Sequence, residues 1–454
     1  MLPVVTESAG AMLLPLKATD CGVPKTPLPR AAVHARRERI LSSRQTRPSA
    51  AHFSTHTMPP QVIQQRKRGF ICVNAHPEGC RLNIERQIGR VRAAMPRVSG
   101  SPVALIIGAS TGYGLASRIA AAWGLGASTL GVFFERAPKN GTTATAGFYN
   151  TAALHEAAQR EGLLARSVNG DAFSDAIKRQ AAEILHKDFA PIDLVIYSLA
   201  SPRRIHPRTG AIHDSALKPV GEPFSSRTID LKSEKIIPVT LDPATEKEIA
   251  DTIAVMGGED WRMWMEMLLA EGLLAPGART LAYSYIGPQV TWPIYRDGTI
   301  GRAKQDLEVT ARSLDAMLGS KLGGSAAISV NKAVVTQAAA AIPVVPLYLS
   351  ILLRVMKSDG THEEPIDQIV RLLRDHPMAG RSGLLDAEGR IRLDALELAP
   401  SVQSGVARIW LETTSENLYE RTDFRGFKRA FDNLFGFDVD GVDYAAPVET
   451  DWSW

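Results

Sequence analysis

The sequence predicts an α/β fold: a doubly wound parallel sheet with helices on both faces. Three observations carry that prediction. Continuous apolar runs of strand length recur along the chain, as expected of strands buried on both faces. Helix-like segments alternate with them. A glycine-rich turn joins the first run to its helix. That run is Val103 to Ile107 (VALII), and a helical pattern through Leu115, Ile119, Ala122 and Trp123 follows the turn. Thr129 to Phe134 (TLGVFF) is the next expected strand. Helix-like sequence over 151–161 and 174–186 leads to the strand Ile192 to Leu199 (IDLVIYSL). Arg279 to Tyr285 (RTLAYSY) and Ala326 to Val330 (AAISV) continue the series. The longest apolar run, 338–353, contains Pro343 and Pro346 and falls short of the roughly 20 residues of a membrane span. It is expected as a buried, kinked segment lining an apolar pocket. There is no internal repeat and no long low-complexity linker after Gln61, so 59–454 is expected to be a single domain.

The charge divides unevenly. Residues 1–58 hold eight Lys/Arg and three Asp/Glu of the chain's 52 and 48, which leaves 44 and 45 for the remainder. The body is near neutral and carries no nucleic-acid footprint. The basic segment includes Arg30, Arg36, Arg37, Arg39, Arg44 and Arg47, is rich in Ser, Thr, Ala and Pro, and has few acids. That is transit-peptide composition. The expectation is a mitochondrial leader, with a plastid leader, a disordered extension or a cytoplasmic protein starting near Met58 as alternatives. The three cysteines, Cys21, Cys72 and Cys80, are too few for a disulfide scaffold and have no metal-pair spacing.

The turn Gly108-Ala109-Ser110-Thr111-Gly112-Tyr113-Gly114 has the spacing G-x-x-x-G-x-G. A helix starting there aims free backbone N–H groups at a pyrophosphate, and its dipole adds to the attraction. Glu135 lies 21 residues after Gly114, at the end of the second strand. An acid in that place binds the adenosine ribose hydroxyls and repels a 2′-phosphate. NADH is therefore expected over NADPH, although the adjacent Arg136 weakens the exclusion. Asp171, in Gly170-Asp171-Ala172, is placed to meet the adenine. Leu199-Ala200-Ser201 ends the third strand, where such sheets bind ligands.

The stretch Tyr283 to Lys304 (YSYIGPQVTWPIYRDGTIGRAK) holds the candidate catalytic pair. A dehydrogenase of this build needs a proton donor for the substrate oxygen and a cation on the nicotinamide ribose. Tyrosine and lysine serve when the lysine charge lies close enough to favour phenol ionisation. On one continuous helix, Tyr295 and Lys304 would face opposite sides. Asp297-Gly298 is a turn signal between them. Tyr295 then sits before the turn, with Lys304 at the start of the next helix. Tyr283 reads as core, and Tyr285 as either core or substrate contact.

These segments resemble the monomeric trans-2-enoyl-CoA reductases and FabV-type enoyl-ACP reductases, a large offshoot of the short-chain dehydrogenases. The resemblance covers roughly 61–445. It rests on RGFICVNAHPEGC (68–80), GASTGYGLASRIAAAWG (108–124), GVFFER (131–136), GDAFSD (170–175), YSLASPRR (197–204), the Tyr-x8-Lys spacing (295–304), NKAVVTQAAAAIP (331–343) and FGFDVDGVDY (435–444). It implies an enlarged Rossmann-like fold with a substrate-side lid, and NADH-dependent reduction of enoyl-CoA or enoyl-acyl-carrier thioesters by a monomer. It implies Tyr295 as catalytic donor, Tyr285 as substrate contact and Lys304 on the cofactor. It also implies NAD contacts at Gly108 to Tyr113, Phe134-Glu135, Asp171-Ala172, Leu199-Ala200 and Val334-Val335-Thr336. An organellar member is expected from the N-terminal extension.

Other features weigh less. Trp261, Trp264, Met265 and Leu268 form a helical stripe that reads as core. His76 and His206 lack a zinc partner set, and no metal is expected. Arg203, Arg204 and Arg208 are either a solvated loop or a phosphate-attracting cluster. Two rival readings stand beside the enoyl reductase: a carbonyl reductase using the same Tyr/Lys pair, and a non-catalytic NAD(H) sensor.

Overall fold

The run Val103–Ile107 is buried along its whole length because it stands near the middle of a seven-stranded sheet. The computed structural model describes residues 59–454 except 69–70, 97–100, 140, 339–341 and 376–384. The targeting-segment reading of 1–58, with Cys21, lies outside the described residues. Met58–Trp454 clusters as one unit.

Two short paired strands, β1 (Lys67–Arg68) and β2 (Ile71–Cys72), come first, then α1 (Pro77–Ala94). Next come β3 (Val103–Ile107), α2 (Gly112–Gly124), β4 (Ser128–Phe133), α3 (Ala146–Arg160), β5 (Ala165–Asn169), α4 (Asp175–Asp188) and β6 (Ile192–Tyr197). An insertion supplies two antiparallel hairpins, β7 (Arg203–Ile205) with β8 (Ile212–Asp214) and β9 (Phe224–Asp230) with β10 (Lys235–Leu241). Helices α5 (Glu246–Met256) and α6 (Glu259–Ala270) complete it. The chain returns to the sheet through β11 (Leu274–Ser284), α7 (Thr299–Leu322) and β12 (Ser325–Val330). Helices α8 (Val345–Ser358) and α9 (Pro365–Asp375) lead to β13 (Arg390–Arg392), followed by α10 (Pro400–Glu412), α11 (Leu418–Arg421) and α12 (Phe424–Asn433).

The sheet order is β13-β12-β11-β6-β3-β4-β5, and every pairing is parallel. The chain runs outward from β3 to β5, then jumps back to β6 on the other side of β3. The crevice between β3 and β6 is thus the topological switch point, where such sheets bind ligands. One face is covered by α1, α2, α3 and α9, the other by α4, α6 and α7. The stripe Trp261, Trp264, Met265 and Leu268 is fully buried in the second layer, as its helical period predicts. A further apolar cluster joins α8 and α12 to residues of α10 and the β9–β10 hairpin.

The expected strands recur with shifts of one or two residues at their ends, except that β11 starts five residues earlier than expected, at Leu274. The expected kinked run does not. Pro346 lies in the first turn of α8, where a missing N–H costs nothing, and the chain breaks just before it at Val344, whose φ is 75°. The prolines start this helix rather than bend it. The strand β5 (ARSVN) leads into Gly170-Asp171-Ala172; as an edge strand it has only two apolar residues, Ala165 and Val168, so no continuous run marks its bounds. Arg204 is a second correction: its side chain is buried against Glu259 and the Ala254 carbonyl, so only Arg203 and Arg208 belong to the exposed loop.

Near the far edge, Gln61 and Val448 form an antiparallel bridge through a pair of 3.0 Å backbone hydrogen bonds. The residues beyond fold over α3. The Tyr149 hydroxyl donates to the Thr450 carbonyl, and the Trp454 ring lies 4.5 Å from that of Phe148.

Candidate active site

The glycine-rich turn occupies the switch point. Gly108 has φ 88°, and a Cβ there would stand 2.1 Å from the Ser198 carbonyl oxygen at the end of β6. A Cβ on Gly114 would stand 1.9 Å from the Gly108 oxygen. The turn is therefore pressed flat against the neighbouring strand end. Gly112, at φ 54°, faces open space instead, and no side chain caps the start of α2. Free N–H groups beside a hollow fit a pyrophosphate. The Tyr113 ring turns inward, its hydroxyl donating to the Lys332 carbonyl at 2.6 Å, with the Gln368 side chain 3.0 Å away.

Glu135 reaches back over this turn and accepts a 2.6 Å hydrogen bond from the Ser110 hydroxyl. Burial raises its pKa, while Ser110, Thr145 and Arg136 act against that. A Cβ on Gly147, in the first turn of α3, would fall 2.0 Å from the Glu135 carboxylate. Glycine there leaves room for the acid. Phe134 is 74% exposed, a free aromatic face at the strand end. Asp171 caps the Phe173 amide at 3.0 Å. The Ala172 carbonyl is fixed from below by Lys178 and Trp264. Leu199 and Ala200 follow β6 at the mouth of the crevice. The positions expected to contact NAD thus lie at the ends of β3, β4, β5 and β6, an arrangement that suits a dinucleotide.

The second half of the site follows β11. Tyr283 is core, as expected; its hydroxyl meets Ser117 at 2.5 Å. Beyond it, the Tyr285 and Tyr295 rings meet edge to face, with centroids 4.9 Å apart. The turn between Tyr295 and Lys304 is present. Asp297 N–H closes onto the Trp292 carbonyl, and α7 begins at Thr299. A Cβ on Gly301 would stand 2.0 Å from the Arg296 oxygen and 2.4 Å from that of Tyr295, so the first turn of α7 packs on the backbone of Tyr295. Lys304 and Tyr285 line one cavity of about 1150 Å³ with Ser284, Gln403 and Trp410.

The electrostatics differ from the expectation in one respect. The Lys304 ammonium donates to the Tyr283 carbonyl at 3.0 Å, and burial lowers its pKa to about 8. Tyr295 is pushed up, first by burial and then by the Glu397 carboxylate. Its phenol is therefore held protonated, as a donor, rather than eased toward phenolate. Val334, Val335 and Thr336 form the half-buried loop after β12. At the ends of β11 and β12 the buried Ser284 hydroxyl and Asn331 amide nitrogen have no hydrogen-bond partner.

Sequence reasoning missed Glu397, Tyr348 and Lys332. Glu397 is fully buried and accepts from Tyr285 and Tyr348; Lys332 is 2% exposed. The available signal was a lone acid within LELAP and a lone lysine within SVNKAVV, since charges flanked by apolar residues are buried only with partners. Among the described residues no group of three or more His, Cys, Asp or Glu is placed to hold a metal. No described helix is long and apolar enough to cross a membrane.

Comparison with known proteins agrees with this geometry. Residues 62–140 match a family profile described as the NAD(P)H binding domain of trans-2-enoyl-CoA reductase, and 142–377 one for the catalytic region of that enzyme. Residues 385–448 match a profile described as an enoyl reductase FAD binding domain. The chain is 54% identical over 388 residues to an enoyl-[acyl-carrier-protein] reductase [NADH] of Opitutus terrae, covering 86% of this chain and 98% of that relative. It is 55% identical over the same length to a like-named protein of Burkholderia pseudomallei, covering 86% and 97%. The crystal structure of Treponema denticola trans-2-enoyl-CoA reductase in complex with NAD superposes with a TM-score of 0.82 at 43% identity, covering 87% and 100%. The residues of 385–448 do not fit a flavin. Arg390 and Arg392, the cations facing the cavity, are already held by Asp386, Glu388, Glu308 and Asp394, and no glycine-rich strand-to-helix turn occurs among the described residues there.

Proposed function

Because the chain belongs to the trans-2-enoyl-CoA reductase family, we propose that NADH lies along the crevice at the end of β3 and that the enoyl thioester enters the cavity beside Tyr285. The enzyme is an NADH-dependent enoyl reductase that acts on enoyl-CoA or enoyl-acyl-carrier thioesters and yields the saturated acyl thioester. One observation carries this assignment of the site. Tyr285 and Lys304 line a cavity large enough for an acyl thioester, at the end of the strand beside the dinucleotide crevice.

Bound NADH supplies a hydride to the β-carbon. The chain's own residues supply the rest. The Gly108 to Tyr113 turn and the start of α2 hold the pyrophosphate, and Glu135 takes the adenosine ribose while Phe134 and Asp171 flank the adenine. Leu199, Ala200 and the loop Val334 to Thr336 border the nicotinamide end. Tyr295, held protonated by burial, donates a hydrogen bond to the thioester oxygen as negative charge develops there, and a proton from solvent then adds to the α-carbon to give the saturated thioester; one such donor is worth about 10²–10³ in rate. Lys304 holds the nicotinamide ribose. Tyr285 borders the thioester, and the apolar side chains of α10 accept the acyl chain.

The test is NADH oxidation with crotonyl-CoA, run beside NADPH and beside Tyr295→Phe. The expected result is turnover that prefers NADH, with a loss of about 10² or more in Tyr295→Phe and little change in NADH affinity. Turnover preferring NADPH would overturn the Glu135 assignment. Activity on acetoacetyl-CoA alone would favour a carbonyl reductase, and NADH binding without any turnover would favour a sensor.

The Arg-rich, acid-poor composition of 1–58 supports import into an organelle, the mitochondrion before the plastid, with removal of that segment. N-terminal sequencing of the mature protein reads this directly. A mature chain that retains Met1 overturns it.

A further inference from the structure

We propose that Glu397 is a positioning residue that ties the acyl-side tyrosine and the nicotinamide-side loop to one carboxylate. The proposal rests on the roles given above to Tyr285 and to the loop after β12. Glu397 is fully buried. One of its oxygens accepts from the Tyr285 hydroxyl at 3.0 Å and from the Tyr348 hydroxyl. The other accepts from the Ala333 N–H at 2.7 Å, at the start of the Val334 to Thr336 loop. Its own backbone carbonyl is fixed by Gln403 at 2.6 Å. Lys332 supplies the nearby positive charge, with its ammonium on the Ala333 carbonyl at 2.8 Å.

A carboxylate can only accept, and a phenol has a single proton. The Tyr285 proton is committed to Glu397, so the cavity sees only the lone pairs of that oxygen. Tyr285 therefore serves there as an acceptor and leaves the donor role to Tyr295. Burying a carboxylate costs several kcal/mol unless its partners are good, and these partners come from the segments just after β11 and β12 and from α8.

Glu397→Gln keeps the shape and disturbs the pattern. Whichever way the amide turns, its NH2 meets either the Ala333 N–H or the phenol protons. With crotonyl-CoA, kcat is expected to fall about tenfold or more while the NADH KM moves less than about threefold. In a Tyr285→Phe background the same change is expected to cost several-fold less than in the wild type, because the part of its effect that acts through that phenol is already gone. Full additivity of the two losses would overturn the proposal. A second reading needs no turnover. The ring 13Cζ resonance of Tyr285, assigned by its loss in Tyr285→Phe, is expected to shift in Glu397→Gln. An unmoved resonance overturns the proposal whether or not the protein reduces enoyl thioesters, whereas a wild-type protein inactive on every enoyl thioester overturns the functional reading alone. Should Glu397→Gln fail to fold, Glu397→Asp withdraws the carboxylate by one methylene and is read in the same two ways.

Discussion

Lys304 carries a charge that the fold makes conditional. An exposed lysine holds its proton far above neutrality, whereas burial pulls this one down to about 8. The cation's hold on the cofactor is present below that pH and fades as pH rises through it. The NADH KM is expected to rise several-fold between about pH 7 and about pH 9 in steady-state kinetics. In Lys304→Arg, whose guanidinium does not titrate there, the profile should be flat; a flat profile in the wild type would contradict the role. Folding responds with its own sign. The folded state favours the neutral amine, so this residue's contribution to stability increases between the folded value near 8 and the unfolded value near 10.5. At this scale the sequence was legible where a motif names the residue. Tyr295, Lys304 and Glu135 stand at recognisable spacings from turns and strand ends. Glu397 does not, because its partners Tyr285, Ala333 and Tyr348 lie 112, 64 and 49 positions away and no local pattern announces so remote a set of contacts.

The elements were legible in proportion to their symmetry of burial. β3 and β6 lie inside the sheet, and their apolar runs mark them plainly. β5 and β13 lie at its edges, where polar residues interrupt the apolar run. Pro346 shows the converse: a residue read as a kink belongs to the first turn of α8. The join between β3 and α2 allows a sharper test, because its glycines are needed for different reasons. Gly112→Ala meets open space and pays only the left-handed backbone penalty, about 1–2 kcal/mol. Gly114→Ala drives a Cβ to 1.9 Å from the Gly108 oxygen and must displace the turn. By fluorescence titration, Gly114→Ala is expected to weaken NADH binding about tenfold or more, and Gly112→Ala far less. Equal losses would mean that the turn does not form the pyrophosphate seat.

For the whole molecule, the sequence indicated one large sheet domain and left its insertions blank. The hairpins of 203–241 and the helices after β12 have no repeating signature, and their packing depends on contacts distant in sequence. A chain shortened to begin at Met58 is expected to unfold at the same temperature as the full chain and to keep its NADH turnover; a drop of more than about 4 °C would show that 1–57 supports the fold. The bridge between Gln61 and Val448 has a bearing on how that unit is made. Its two halves are synthesised almost the entire domain apart. On the ribosome, Gln61 must wait without this partner until residue 448 emerges. The central strands can assemble early, but the seam that joins the two ends closes last. A chaperone that holds nascent chain therefore has its longest opportunity at this edge of the molecule.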